Sequence, residues 1–171
     1  MISAACAQLG ERALVCAAAT DFTDVAHWDH VKVVEAMNYA AVFPACRAVV
    51  HHGGLGTTEA GLRAGVPTLM LWTWQDSAIR GRRLEQLRIG AARPFSATTL
   101  ESLVADLRLI LAPQYVARAR EIATQMTKSA ESVLAAADSL EKFVASGAKP
   151  SPSDRSKDSA NGSPAWHRHA D

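Results

Sequence analysis

The chain has almost no net charge, few cysteines and no long apolar run, and each shortage excludes something. Its 18 basic and 17 acidic side chains leave a formal charge of +1, too little for the basic surface that binding a nucleic-acid backbone requires. No uninterrupted apolar segment reaches the ~18 to 20 residues of a membrane-spanning helix, and the residues after Met1 lack the basic, apolar and small-residue regions of a secretory leader. The three cysteines, Cys6, Cys16 and Cys46, are odd in number, sit in apolar surroundings and show no C-x-x-C spacing. They read as buried thiols of a cytoplasmic protein, not as a disulfide framework or a zinc site.

The chain does have enough apolar residues to make a core: 49% of 171, sufficient for one ordinary domain. Short β-rich runs, "RALVCAA" (12–18), "VKVV" (31–34), "RAVV" (47–50) and "TLMLW" (68–72), have the character of buried parallel strands. They are followed by segments with apolar residues at helical spacing, 57–64, 76–88 and 99–111; in the last, Leu100, Leu103, Val104, Leu107 and Leu111 share a face. Pro113 suits the first turn of a further helix, and amphipathic patterns continue to about Val144. The fold class is therefore α/β, a Rossmann-like parallel sheet flanked by helices. Ser3 to Leu9 reads as a helix closed by Gly10 and running into a strand. A doubly wound domain has a strand before such a helix, so the domain is expected to be truncated at its N-terminus. From Ser146 the composition turns to Ser, Pro, Lys, Asp and Gly and periodicity stops. The expected organisation is a domain over 1–145 and a disordered tail over 146–171, in which Trp166, His167 and His169 are solvated residues.

One stretch concentrates small residues and donors: "VVHHGGLGTTEAGLRAGVP", 49–67, with Gly53, Gly54 and Gly56 inside four positions. The expected arrangement is a strand to Val50, a turn over Gly53 to Gly56 and a helix from about Thr57. That is the carboxyl end of a parallel strand, where open α/β sheets bind ligands. Unpaired amides at the helix start, glycines that let an anion approach the backbone, the Thr57 and Thr58 hydroxyls and the His52 ring N–H together suit a diphosphate. No lysine follows the glycines, so this is no Walker loop, and the spacing is not that of G-x-G-x-x-G. A plain tight turn, with the histidines as strand-end residues, explains Gly-Gly-x-Gly about equally well when it is taken alone.

The longer segment "HHGGLGTTEAGLRAGVPTLMLWTWQDSAIRGRRLEQLRIG", 51–90, resembles the donor-binding signature of family 1, UDP-glycosyltransferase-like enzymes of the GT-B fold. The phrasing is most similar to actinobacterial, especially mycobacterial, members that act on glycolipids. The likeness runs from about Ala4 to Val144, as the C-terminal half of such an enzyme. It implies binding of a UDP- or dTDP-sugar and transfer of a hexose to a hydroxyl of a lipid or natural product. It further implies His52, Gly53, Gly54, Gly56, Thr57 and Thr58 at the donor diphosphate, and Asp76 and Ser77 at the donor sugar. No cofactor and no metal ion are implied, since the nucleotide sugar is a substrate. The catalytic base of the family belongs to an N-terminal domain; its equivalent here is unknown, and a separate N-terminal acceptor-domain chain is the implied partner. Peripheral membrane contact is compatible with that reading; a transmembrane segment is not. A nucleotide-sugar-binding subunit inactive alone is the alternative. An epimerase of the same superfamily fits the Asp76 region less well.

The departures from the pattern are local. Ser77 stands where Gln is usual and Arg80 where Asn is common, and Ala36-Met37-Asn38, followed by Tyr39, replaces a Trp-Val-Pro segment whose Trp stacks on the base. Trp72 and Trp74 are equally compatible with core packing and with a pocket wall. His27 and His30 read as surface-loop residues and His51 as strand-end packing.

Overall fold

The computed structural model describes residues 1–17, 28–126 and 129–146. The chain divides into two compact units, Met1–Met126 and Thr127–Asp171. In the second unit, helix α7, Ser129–Ala145, is amphipathic, with Val133, Leu134, Leu140 and Phe143 exposed. The expected tail lies, beyond Ser146, outside the described residues, as does His27.

The first unit alternates strand and helix: α1 (Ile2–Leu9), β1 (Ala13–Cys16), β2 (Val31–Val34), α2 (Tyr39–Val42), β3 (Val49–His51), α3 (Leu55–Arg63), β4 (Thr68–Trp72), α4 (Gln75–Gln86), β5 (Gly90–Pro94), α5 (Leu100–Ile110) and α6 (Pro113–Gln125). All the ladders are parallel, as the apolar runs predict, but they form two sheets instead of one: β1 with β2, and β3-β4-β5 in that order. In the three-stranded sheet β4 is central, and Thr68 to Leu71 are buried.

The helices form where amphipathic spacing and stop signals coincide. Gly10 ends α1 in the left-handed conformation at φ 67°, as glycine allows at little cost. Pro113 occupies the first turn of α6. Thr99 and Ser102 make a reciprocal capping box at the start of α5. Helix α5 then lays Leu103, Leu107 and Ile110 onto Leu69, Leu71 and Ala91, with Ala5 of α1 in the same cluster. Arg93 of β5 is tied to α5 by two hydrogen bonds to Asp106, Nε to Oδ2 at 2.7 Å and Nη2 to Oδ1 at 3.1 Å. That paired bond raises the already high pKa of Arg93.

Strand β5 is the strand that sequence pattern missed. "GAARP" is poor in β-branched residues, yet it pairs with the whole of β4, from Thr68 against Gly90 to Trp72 against Pro94. Its small residues follow from contact with α4: a Cβ on Gly81 would stand 2.5 Å from the Ala92 Cβ. Helix and strand approach too closely there for branched side chains, so packing selects alanine over β-propensity.

Candidate functional site

The stretch from Val49 to Thr58 does form a strand, a turn and a helix start, but the helix begins at Leu55, two residues earlier than expected, with Gly54 as its N-cap. The first intrahelical bond runs from the Thr58 N–H to the Gly54 carbonyl, 3.0 Å. The amides of Leu55, Gly56 and Thr57 therefore precede the helical ladder. No side chain caps them. A cluster of N–H dipoles thus faces outward at the carboxyl end of β3, with the partial positive charge of the helix terminus behind it.

The turn is held from behind. Gly53 is buried at φ 104°, and a Cβ there would lie 2.8 Å from the Ser77 Cβ and 3.0 Å from the Met70 sulfur. Arg80, on α4, donates from Nε and Nη2 to the Gly53 carbonyl, at 3.2 and 3.0 Å, and from Nη2 to the Ser77 hydroxyl at 2.9 Å. On the other side the Gly53 N–H donates to His51 Nδ1, 3.0 Å. Both polar groups of the Gly53 peptide flanks are thus spoken for, and the turn has one conformation in which the next residues lie open.

The His51 ring consequently carries its proton on Nε2, which is buried without a hydrogen-bond partner. Burial, and secondarily the neighbouring His52, push its pKa down to about 4. His51 is a neutral acceptor that fixes the turn, a role beyond the strand-end packing its position suggested. His52 is exposed, and its Nε2 stands 3.1 Å from where a Gly54 Cβ would be. The imidazole thus lies over the helix start. Half-buried Thr57 and exposed Gly56 complete the open side.

Two expected site residues stand differently. Thr58 is buried and its hydroxyl donates to the Gly54 carbonyl at 2.8 Å, so that donor is turned into the helix and away from the open amides. Ser77, expected at the sugar, is also buried and sits behind Gly53 with Arg80 on its hydroxyl. Asp76 is exposed in the first turn of α4 and is not its N-cap, which is Trp74. Trp72 packs on the Met70 and Leu84 cluster, whereas Trp74 is 75% exposed at the start of α4. The two tryptophans therefore divide between core and surface. The supporting part of Arg80 went unread because nothing in the local pattern of α4 points to a carbonyl 27 residues upstream.

Of the remaining histidines, His30 is half-buried with Nε2 2.9 Å from the Ser3 carbonyl. Tyr39, which follows the segment that departs from the base-stacking pattern, stacks on Phe43 with ring centroids 4.7 Å apart. Among the described residues no group of three or more His, Cys, Asp or Glu is placed to hold a metal ion, and no helix is long and apolar enough to cross a membrane.

Residues 3–141 match the model of the erythromycin biosynthesis protein CIII-like C-terminal domain. An uncharacterized glycosyltransferase of Mycobacterium tuberculosis is 63% identical over 141 residues, which is 82% of this chain and 34% of the relative. This chain thus spans about a third of the length of that relative. Among solved structures, the calicheamicin glycosyltransferase CalG4 aligns with a TM-score of 0.66 over 86% of this chain and 40% of its own, at 21% identity. The glycosyltransferase VinC, solved in complex with dTDP, aligns with a TM-score of 0.58 over 67% of this chain and 37% of its own, at 24% identity.

Proposed function

The chain belongs to the family of erythromycin biosynthesis protein CIII-like C-terminal domains, the C-terminal half of glycosyltransferases of the GT-B fold, and we propose that it binds a nucleoside-diphosphate sugar on the turn between β3 and α3. The observation that carries this is the uncapped start of α3 behind Gly54, with the His52 ring over it and Arg80 and His51 holding Gly53 in place. As the bond from the anomeric carbon to the diphosphate breaks, negative charge grows on the leaving group. The amides of Leu55, Gly56 and Thr57, the Thr57 hydroxyl and the His52 ring N–H are donors aimed where that charge develops. Gly53 and Gly54 keep side chains out of the approach. Thr58 and Ser77 act from behind, by fixing the helix start and the turn. Asp76, exposed at the next helix start in the chain, accepts hydrogen bonds from donor-sugar hydroxyls.

The overall reaction in this reading is transfer of a hexose to a hydroxyl of a lipid or natural-product acceptor in the cytoplasm, with the acceptor held and deprotonated by an N-terminal domain. The lone pair of His51 Nδ1 is taken by the Gly53 N–H and its Nε2 is buried, while His30 Nε2 is engaged with the Ser3 carbonyl. The general base must stand within hydrogen-bond reach of the nucleophile.

Calorimetric titration of the chain with dTDP and UDP tests the proposal. Binding is expected for at least one of them, and His52→Ala combined with Thr57→Ala should weaken it by about 1 to 3 kcal/mol through lost charge-assisted bonds. Affinity unchanged in the double variant would put the nucleotide elsewhere.

A further inference from the structure

We propose, on the reading of the β3–α3 turn as a diphosphate site, that the bound anion is the counter-charge of Arg80. The guanidinium acts on it through the Gly53–Gly54 peptide, as a positioning residue that makes the Gly54 N–H a charge-strengthened donor.

The charge of Arg80 lacks a partner. Arg47, Arg63, Arg93 and Arg118 each pair with a carboxylate, but Arg80 is half-buried and bonds only to neutral acceptors, the Gly53 carbonyl and the Ser77 hydroxyl. Asp76, one turn earlier on α4, is exposed and makes no ion pair with it among the described residues. A guanidinium drawn partly out of water without a carboxylate costs free energy until an anion comes to it. Arg82 and Arg88, by contrast, are exposed and solvated. Holding a carbonyl in place needs a donor and not a charge, so the clamp alone does not account for an arginine there.

The peptide plane shows where that charge is felt. A trans peptide sets its C=O and its N–H on opposite sides. The Gly53 carbonyl faces Arg80 on α4, so the Gly54 N–H of the same plane points away from α4. That N–H has no partner among the described residues, whereas the Gly53 N–H is accepted by His51 Nδ1. Gly54 is the N-cap of α3, so its N–H stands just ahead of the open amides of Leu55, Gly56 and Thr57. The His52 ring lies over the same residue. One opening is therefore bordered by four amides and an imidazole.

Two hydrogen bonds from a cation to a carbonyl draw electron density out of the peptide and strengthen the N–H at its other end, by about 10–30% per bond in a hydrogen-bonded chain. The direct field of the guanidinium adds to this. Gly53 and Ser77, which adjoin it, are both buried, so water screens that field less than at an open surface. The consequence is selectivity by charge: a brace that only shaped the turn would help every ligand alike, whereas Arg80 favours the more highly charged one.

The test compares Arg80→Gln, Arg80→Lys and Ser77→Ala with the wild-type 171-residue chain, by NMR titration with inorganic pyrophosphate, dTDP, UDP and dTMP. Glutamine keeps a donor for the Gly53 carbonyl and loses the charge; lysine keeps the charge. In Arg80→Gln the affinity for pyrophosphate and dTDP should fall by about tenfold and that for dTMP by about fivefold, while Arg80→Lys stays within about threefold of wild type. Ser77→Ala, which leaves the guanidinium on Gly53, should stay within about twofold. In the free protein the Gly54 amide proton should move upfield in Arg80→Gln and hold its place in Arg80→Lys. Lysine no better than glutamine, or equal losses for dTDP and dTMP, would make Arg80 a neutral brace and overturn the proposal. Nucleotide binding that ignores Arg80 would overturn it too and leave the nucleotide reading standing. Pyrophosphate binding that depends on Arg80, with no response to dTDP or UDP, would sink the nucleotide reading alone. Should Arg80→Gln fail to fold, the wild-type Arg80 Nε–H, which donates to the Gly53 carbonyl, takes over as the readout. Polarisation is mutual, so its proton should move downfield as pyrophosphate or dTDP binds, and a saturated complex in which it stays put overturns the proposal.

Discussion

The helix that follows β3 and the helix that follows β5 begin in opposite ways. Helix α5 is sealed: the Thr99 hydroxyl accepts from the Ser102 N–H, and the Ser102 hydroxyl accepts from the Thr99 N–H. Helix α3 has a glycine N-cap with no side-chain acceptor, and its first amides are left to whatever lies outside. A side-chain cap is worth about 1 kcal/mol over alanine but only a few tenths over glycine, so the glycine at the start of α3 leaves its amides open at little loss of stability. What α3 has instead is support for its turn from residues distant in sequence, Arg80 and Ser77 of α4. The contrast separates a helix start sealed by its own side chains from one whose first amides are left open.

Four predictions break or sharpen this contrast, in falling order of effect. Gly53→Ala should cost about 2 to 4 kcal/mol, since alanine at φ 104° is strained and its Cβ meets Ser77. Thermal or urea unfolding measures it, and dTDP titration should show binding lost along with the turn. A mild loss of stability with intact binding would mean that the turn tolerates another shape.

The second concerns acid. His51 has a folded-state pKa of about 4 against 6.5 unfolded. Between those values the unfolded chain binds the proton and the folded chain does not, so stability should fall as pH drops from 6.5 to 4, by up to about 3 kcal/mol, and be unaffected by His51 above 6.5. Unfolding midpoints across pH 4 to 7 test this, and His51→Gln should flatten that part of the profile.

The third acts on the sealed helix. Thr99→Ala should destabilise by about 1 kcal/mol and leave nucleotide affinity unchanged. A loss of affinity there would show that the two helix starts are coupled.

The fourth closes the open helix. Gly54→Asp supplies a cap, changing stability by only a few tenths of a kcal/mol, because Gly54 at φ −58° can carry a side chain once the exposed His52 ring, 3.1 Å from such a Cβ, swings aside. The carboxylate would occupy the amides and repel a diphosphate, so binding should vanish while the melting temperature barely moves. Retained binding would remove α3 from the site.

Much of this was legible in the sequence where the signal is local. Gly10 as a helix stop, Pro113 as a start and the apolar face of α5 depend on neighbours within a turn or two. Boundaries shifted where the local signal is weak: β1 is shorter than the run 12–18, and α3 takes in Leu55 and Gly56 because nothing in a glycine-rich stretch marks its first residue. Strand β5 was not legible at all, since its ladder and its small side chains are set by β4 and α4.

By itself, then, the chain's order of residues determined the alternation of apolar strands and amphipathic helices, and placed bare backbone, His52 and Thr57 at one strand end. Those are properties of composition and spacing, which short-range sterics and burial enforce. Tertiary structure alone decided that Thr58 and Ser77 turn inward, that Arg80 and His51 clamp Gly53 from two sides, and that β1 and β3 face each other across an open cleft. These depend on contacts between residues tens of positions apart, such as Arg80 with Gly53 and Glu11 with Arg47. No periodicity records such contacts, because each is fixed by how the layers pack and not by what precedes or follows a residue in the chain.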